Sequence, residues 1–301
     1  MVSLGIPTYR RPETLARALR SVLAQTHRDL EVIISDDQPD DDETERVVRD
    51  LARTDPRVRY IRQPHNLGHA RNYSFVLGAA SGEHFMWLAD DDWIDPAYVE
   101  RCLDALAGDD SLRLVAGLAR YYRNGEHVID ERPTNLLEER AAARVVRYFA
   151  RVNMNGALFG IARREDLLQV GFPDVVGGDW LLVAALAARG GVRTLPDVHV
   201  HRSMSGLGGD ARALAESFGY TGLVARSHQV LVARRLAVDI ALRDPAYAAM
   251  SRPERLVAAA ASAALIVIRF PGLSLVRRVL NALGLGHLED RAAAWVRARE
   301  A

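Results

Sequence analysis

The chain has 301 residues, 39 basic and 39 acidic side chains, a formal net charge of +0, and 49% hydrophobic and 26% charged residues. This is the composition of a folded globular protein, and the balanced charge speaks against a general nucleic-acid binder. None of the basic residues is lysine and there is one cysteine, Cys102, which excludes a Schiff-base or phosphate-loop lysine, an internal disulfide and a thiolate zinc site.

In chain order, "VSLGIP" (2–7) predicts a buried strand and "RPETLARALRSVLAQ" a helix, with Pro12 near its start and Leu15, Leu19, Val22 and Leu23 at helical spacing. With an apolar strand starting at Val2 and no signal peptide, the expected compartment is the cytoplasm. "LEVIIS" (30–35) predicts a second strand, "ETERVVRDLART" a second helix, "VRYIRQ" (58–63) a third strand, "GHARNYSFVLGAASG" a third helix and "EHFMWLA" (83–89) a fourth strand. A helix is expected over "DPAYVERCLDAL", with Cys102 as a buried packing thiol.

Beyond it, "LRLVAGLARYYRNGE" reads as extended with a turn at Asn124-Gly125, and "ERAAARVVRYFARV" as a helix. "NGALFGIARREDLLQVG" reads as a strand and a short helix stopped by Gly171, and "GGDWLLVAALAARGG" as a helix with Asp179 in its first turn. "VRTLPDVHVHR" is extended and "SMSGLGG", with Gly206, Gly208 and Gly209, is a loop that is either a nucleotide lid or plain surface. From about residue 210 helices are expected to the end. The apolar run 256–268 is too short to span a bilayer. Two readings of it stand: a core or homodimer helix, or, with Arg255, Arg269, Arg277 and Arg278, a membrane-surface element over 256–283.

Strands alternating with helices over the first 90 residues predict a parallel sheet, and in such sheets ligands bind outside the carboxyl ends of the strands. Three stretches fall on that rim: "PTYRR" after strand one, "SDD" after strand two, and "ADDD" after strand four. Asp90, Asp91 and Asp92 cannot all stay ionised side by side without a cation or a strong pKa shift. Hard carboxylate oxygens suit Mg²⁺ or Mn²⁺; an acidic, solvated turn is the plainer alternative, but Asp95 before Pro96 already suffices to cap the next helix. Asp36 and Asp37 are a turn or a hydrogen-bond partner for a pyrimidine base. Tyr9 suits stacking on that base and Arg10 or Arg11 suits phosphate. With no G-x-G-x-x-G after strand one, a dinucleotide dehydrogenase is disfavoured.

"IPTYRRPETLARALRSVLAQTHRDLEVIISDD", "NLGHARNYSFVLGAASGEHFMWLADDDWIDP" and "GGDWLLVAALAARGG" together resemble the inverting glycosyltransferases of family 2 with the GT-A fold, over residues 2 to 205. The resemblance implies an α/β architecture with a mostly parallel, Rossmann-like sheet flanked by helices, forming a nucleotide-sugar domain over 1–208; the helical pattern of 209–301 lies beyond it as a separate region. It implies a nucleotide-diphosphate sugar as donor, with Pro7, Thr8 and Tyr9 lining the nucleotide, Asp37 with Asp36 reading the base, and Asn66, Gly68 and Arg71 near the diphosphate or base. Asp91 and Asp92 match the end of the metal motif, with Asp90 in support, and Asp179 matches the general base. Two positions depart from the family pattern: Ala89 stands where an aspartate is usual, and Gly178 where a glutamate is common before the base.

His199 and His201 share a face of one strand, and His201 is a candidate metal or diphosphate contact or a satisfied structural histidine. Arg71 or Arg202 is expected to assist at phosphate. Trp180 is either an acceptor-stacking ring or part of its helix's packing, and Asp179 without the resemblance would be a helix-dipole residue. The expected function is metal-dependent inverting transfer from a UDP- or dTDP-sugar to a hydroxyl on an acceptor that is a glycan, lipid-linked or a small molecule. A nucleotidyltransferase and a non-catalytic nucleotide-sugar-binding module are the alternatives.

Overall fold

The computed structural model describes residues 1–40, 42–53, 55–204, 221, 228–243 and 245–269. Strand β1 (Val2–Thr8) is buried along its whole length, as its unbroken apolar run requires of a central parallel strand. It pairs in parallel with β2 (Leu30–Asp36) on one side and with β4 (His84–Trp87) on the other, and β2 pairs in parallel with β3 (Val58–Arg62). The connecting helices are α1 (Pro12–Leu23), α2 (Glu43–Ala52) and α3 (His69–Gly78). Gly5 is required by close approach, since a Cβ there would lie 2.6 Å from Val76 Cγ2 of α3 and 2.7 Å from the Phe85 ring.

The second half of the sheet is mixed. β5 (Trp93–Ile94) follows the acidic run and α4 (Tyr98–Ala107) follows β5. β6 (Leu112–Arg123) and β7 (Glu126–Asp130) form the hairpin expected at Asn124-Gly125, both residues having positive φ. After α5 (Ala141–Arg151) come β8 (Ile161–Arg163), α6 (Arg164–Val170), α7 (Gly178–Arg189) and β9 (Gly191–Ser203). The sheet order is β3-β2-β1-β4-β8-β6-β9-β5, with β7 on β6. β8 runs antiparallel to both β4 and β6, so one reversed strand separates β4 from β6, and β6 then pairs in parallel with β9. This is the mostly parallel, helix-flanked sheet expected, with an antiparallel insertion and the β5–β9 pair that local pattern did not reveal.

Helices α8 (His228–Val238) and α9 (Arg252–Arg269) pack on each other, and α9 lies along α5. α9 buries Ala258, Ala259, Ser262 and Ile266 while Leu256 and Val257 face outward. The two arginines that flank the apolar run both turn inward: Arg255 Nε donates to the Ile240 carbonyl (2.6 Å), and Arg269 Nη1 donates to the Phe149 and Val152 carbonyls (2.8 and 3.0 Å) at the end of α5. A cation there complements the helix dipole. Among the described residues no helix is long and apolar enough to cross a membrane. Arg277, Arg278, the "SMSGLGG" glycines and the 208–209 boundary lie outside the described residues.

Cys102 is buried, and burial pushes its thiol above the usual range. Above it, the buried Tyr98 hydroxyl donates to the Phe159 carbonyl and accepts from Gly117 N–H, both at 2.9 Å, tying α4 to β6 and to the turn before β8. Replacing Tyr98 by Phe strands both groups, which costs about 2 kcal/mol. Urea unfolding of Tyr98→Phe is expected to show that loss with an unchanged m-value; wild-type stability would mean that the two groups find other partners.

Candidate active site

The carboxyl ends of β1, β2 and β4 meet at the rim anticipated from sequence. Thr8 and Asp36 are register partners at the ends of β1 and β2, and Thr8 Oγ1 donates to Asp90 (2.9 Å) just past β4. The three aspartates then diverge. Asp90 is buried and also accepts from Tyr9 N–H (3.4 Å) and Arg11 Nη1 (3.2 Å). Asp91 accepts from the same Arg11 nitrogen (3.1 Å), and its backbone carbonyl accepts from Arg17 (2.6 Å). Asp92, 1% exposed, turns inward: one oxygen accepts from Ser203 N–H (2.9 Å) and the other from Arg202 Nε (3.1 Å). Ala89, where the family pattern has an acid, packs against the core and closes the turn by accepting from Asp92 N–H (3.1 Å).

The positive charge facing this cluster is therefore protein-borne. Burial pushes Asp90 up to about 6, with Arg11 pulling it back. Burial likewise pushes Asp92 up to about 6, against the pull of Arg202. The largely buried Arg202 is opposed by burial, but Asp92 and Tyr121 outweigh that and hold its pKa above the ordinary arginine value. Its guanidinium also donates to the Tyr121 hydroxyl (3.3 Å) and the Met154 carbonyl (3.2 Å), and lies 4.2 Å from the Phe159 ring centroid.

On the side expected to face a nucleotide, Pro7 and Thr8 are buried and Tyr9 and Arg10 stand out. Tyr9 is 41% exposed. Arg10, at φ 55°, lays its guanidinium by the Tyr9 ring (5.1 Å) and donates to Gln38 (2.9 Å). Asp36 is buried and accepts from the Tyr60 hydroxyl (2.7 Å). The Asp37 carboxylate accepts from Leu67 N–H (2.6 Å) and Gly68 N–H (2.9 Å), and Asn66 donates to its carbonyl (3.3 Å). Asp37 thus ties the loop before α3 to the rim. Arg71 is exposed and pairs with Asp174 (3.3 Å).

Asp179 begins α7. A Cβ at the preceding Gly178 would lie 2.2 Å from the Pro173 carbonyl oxygen, so no side chain fits where the family often has glutamate. Burial raises the pKa of Asp179, against a 2.9 Å hydrogen bond from Asn155 Nδ2 and the Trp180 N–H. Asn155 sits in the left-handed region at φ 58° and accepts from the Tyr148 hydroxyl (2.8 Å). Neither Asn155 nor Glu131, whose carboxylate accepts from Gly156 N–H (2.7 Å), was singled out from sequence. The one available signal was the Asn155-Gly156 pair, a left-handed turn signature. Trp180 is partly buried against the core.

His201 does not match its expected role as a metal ligand. Its Nε2 pairs with Asp95 (2.7 Å) and its Nδ1 with the Tyr122 hydroxyl (3.0 Å), so both ring nitrogens are occupied; its ring stacks on Trp93. Asp92, also expected as a ligand, is turned inward, with each oxygen hydrogen-bonded within the protein. Among the described residues no group of three or more His, Cys, Asp or Glu side chains is arranged to hold a metal ion. Asp91 remains, facing a cavity of about 340 Å³ lined by Arg11, Arg17, Asp91, Trp93, Tyr122 and Ser203. One carboxylate with space for phosphate oxygens and water fits the way Mg²⁺ is usually held.

A model of the family described as "Glycosyl transferase family 2" matches residues 3–168. The GalNAc(5)-diNAcBac-PP-undecaprenol beta-1,3-glucosyltransferase of Campylobacter jejuni is 39% identical over 92 residues, which is 30% of this chain and 29% of that protein. Thus the chain spans less than a third of that relative's length. S. aureus TarS 1–349 in complex with UDP-GlcNAc superposes with a TM-score of 0.58 at 19% identity, covering 84% of this chain and 69% of that one. The mannosyltransferase PcManGT of Pyrobaculum calidifontis, in complex with GDP-Man and Mn²⁺, gives 0.50 at 19% identity over 97% and 86%. At these identities the two structures establish the shared GT-A fold.

The raised Asp90 pKa has a definite sign. Folded protein holds this proton up to about pH 6, whereas the unfolded chain releases it near 4. The stability it contributes is full below about pH 4 and lost as pH rises through about 6. In metal-free, nucleotide-free buffer, wild type is expected to weaken relative to Asp90→Asn across that window by about 1.4 kcal/mol per pH unit. Denaturation curves that stay parallel from pH 4 to 7 would rule this out.

Proposed function

The chain belongs to glycosyl transferase family 2, and on that footing we propose that it transfers a sugar from a nucleotide-diphosphate donor to an acceptor hydroxyl with inversion, aided by Mn²⁺ or Mg²⁺. The observation that carries this reading is the placement of Arg202. It pairs with Asp92 of the acidic run and acts electrostatically on Asp179. The phosphate-side acids and the candidate base thus share one cation at one end of the sheet.

The roles follow from the chemistry of each group. Tyr9 offers an exposed ring to the base and Asp37, through the loop it orders, an acceptor for a pyrimidine imide; uridine and deoxythymidine donors are favoured on that ground. Asp91 and the diphosphate would hold the divalent ion, which supplies charge neutralisation as the leaving group departs. Asp179 takes the proton of the attacking hydroxyl. Its burial raises its proton affinity toward working pH, and Asn155, itself held by Tyr148, fixes the carboxylate. A single base and direct attack invert the anomeric carbon. Trp180 beside Asp179 suits stacking on an acceptor sugar. The name of the Campylobacter relative carries a PP-undecaprenol-linked saccharide, and a lipid-linked acceptor is the class we favour.

Thermal shift against UDP-, dTDP- and GDP-sugars, with and without Mn²⁺, tests the reading. A uridine or thymidine donor is expected to raise Tm, and to raise it more with metal; no shift with any donor in the presence of Mn²⁺ would sink it. Asp179→Asn is expected to keep that shift and to slow nucleoside diphosphate release about 10³-fold.

A further inference from the structure

The Arg11 side chain has a part in this site beyond contact with phosphate. A single nitrogen, Nη1, lies 3.2 Å from Asp90 Oδ1 and 3.1 Å from Asp91 Oδ2. That nitrogen sits against Asp91 Oδ2, the carboxylate that would hold the divalent ion, with Asp90 alongside. The two acids are fixed: their side chains are 8% and 13% exposed, Asp90 is held by Thr8 and Tyr9, and the Asp91 backbone by Arg17. Arg11 is the movable partner. Its side chain is 37% exposed, and its backbone is anchored separately, the carbonyl accepting from Leu15 N–H (3.0 Å) and the Thr14 hydroxyl (3.3 Å) at the start of α1. It can therefore swing without disturbing the helix.

We propose that Arg11 is an internal competitor for divalent metal: it neutralises Asp90 and Asp91 in the donor-free protein and must leave them before Mn²⁺ or Mg²⁺ binds. The inference rests on the donor and metal reading above. Two carboxylates this close are costly without a cation, so Arg11 stays until a stronger cation replaces it. The incoming diphosphate supplies the other half of the exchange, because a guanidinium pairs well with phosphate oxygens. Metal and donor then bind in concert, and metal alone binds weakly. Lysine at this position would also compete as a point charge, whereas a neutral side chain would not.

The test is Mn²⁺ binding to the full chain at pH 8 without nucleotide, by titration calorimetry and by the electron-spin-resonance signal of free Mn²⁺. Arg11→Gln is expected to bind Mn²⁺ at least ten-fold tighter than wild type, Arg11→Lys to stay near wild type, and Arg11→Gln/Asp91→Asn to lose the gain. Melting in EDTA shows that each variant is folded. In the same assay Mn²⁺ is expected to raise the Tm of Arg11→Gln more than that of wild type. Equal affinity of wild type and Arg11→Gln overturns the proposal. If wild type then still binds Mn²⁺ when UDP is added, the metal reading stands and only the role of Arg11 falls. If neither protein binds Mn²⁺ with or without UDP, the metal reading falls and takes this proposal with it.

Discussion

The ion pair between Asp92 and Arg202 is the constraint on which the site depends. Asp92 ends the acidic run beyond β4, in the first half of the sheet, and Arg202 lies near the end of β9, 110 residues away in sequence. Their meeting is secured by the short antiparallel pairing of β5 with β9, Trp93 opposite His201. Ser203 N–H takes the second Asp92 oxygen, and Asp95 accepts from the His199 N–H and from both imidazoles. The acidic loop is thereby stitched to β9 on either side of β5. A buried ion pair is weak support for stability in itself, but removing one partner leaves a charge without compensation. Here it acts as a register pin, which keeps the nucleotide-side rim and the Asp179 side in one arrangement.

The absence of lysine has structural consequences at this junction. Arg17 lies 3.8 Å above the Trp93 ring while donating to the Asp91 carbonyl, and Arg202 lies by Phe159 and Tyr121 while pairing with Asp92. A planar guanidinium can stack and donate sideways at once; a compact ammonium cannot do both. Arg11, Arg17 and Arg202 thus place positive charge around three aspartates, and Arg17 and Arg202 use aromatic faces for support. The negative run that suggested an external cation is in the first instance balanced from within.

Much of the parallel half of the fold was legible because its signals are local: unbroken apolar strands, helical spacing and punctuating loops. The rim followed, since parallel strands put their carboxyl ends together. The antiparallel β8, the two-residue β5 and the β6–β9 pairing rest on partners far away in sequence, which pattern cannot specify. The same limit explains the site. Alternation showed that His199 and His201 face one way, but not that Asp95 and Tyr122 occupy the His201 nitrogens. Three consecutive aspartates looked equivalent, yet a turn closed by the Ala89 carbonyl points each in its own direction. The asparagine that fixes Asp179 was hidden because its role needs a left-handed backbone and a contact 24 residues along the chain.

Desolvation raises the proton affinity of Asp90, Asp92 and Asp179 alike, yet the three are not interchangeable. Asp90 and Asp92 each carry a direct guanidinium contact. A proton arriving at either must compete with a cation already in place, and its lone pairs point at protein donors. Asp179 is held by neutral donors, the Asn155 amide and the Trp180 N–H, with Arg202 acting through space. A carboxylate held by amides keeps its orientation without surrendering its charge to a fixed counter-ion. In the proposed transfer, that difference in partners, more than any difference in burial, would suit Asp179 to accept a proton and the acidic run to manage the charge of a diphosphate.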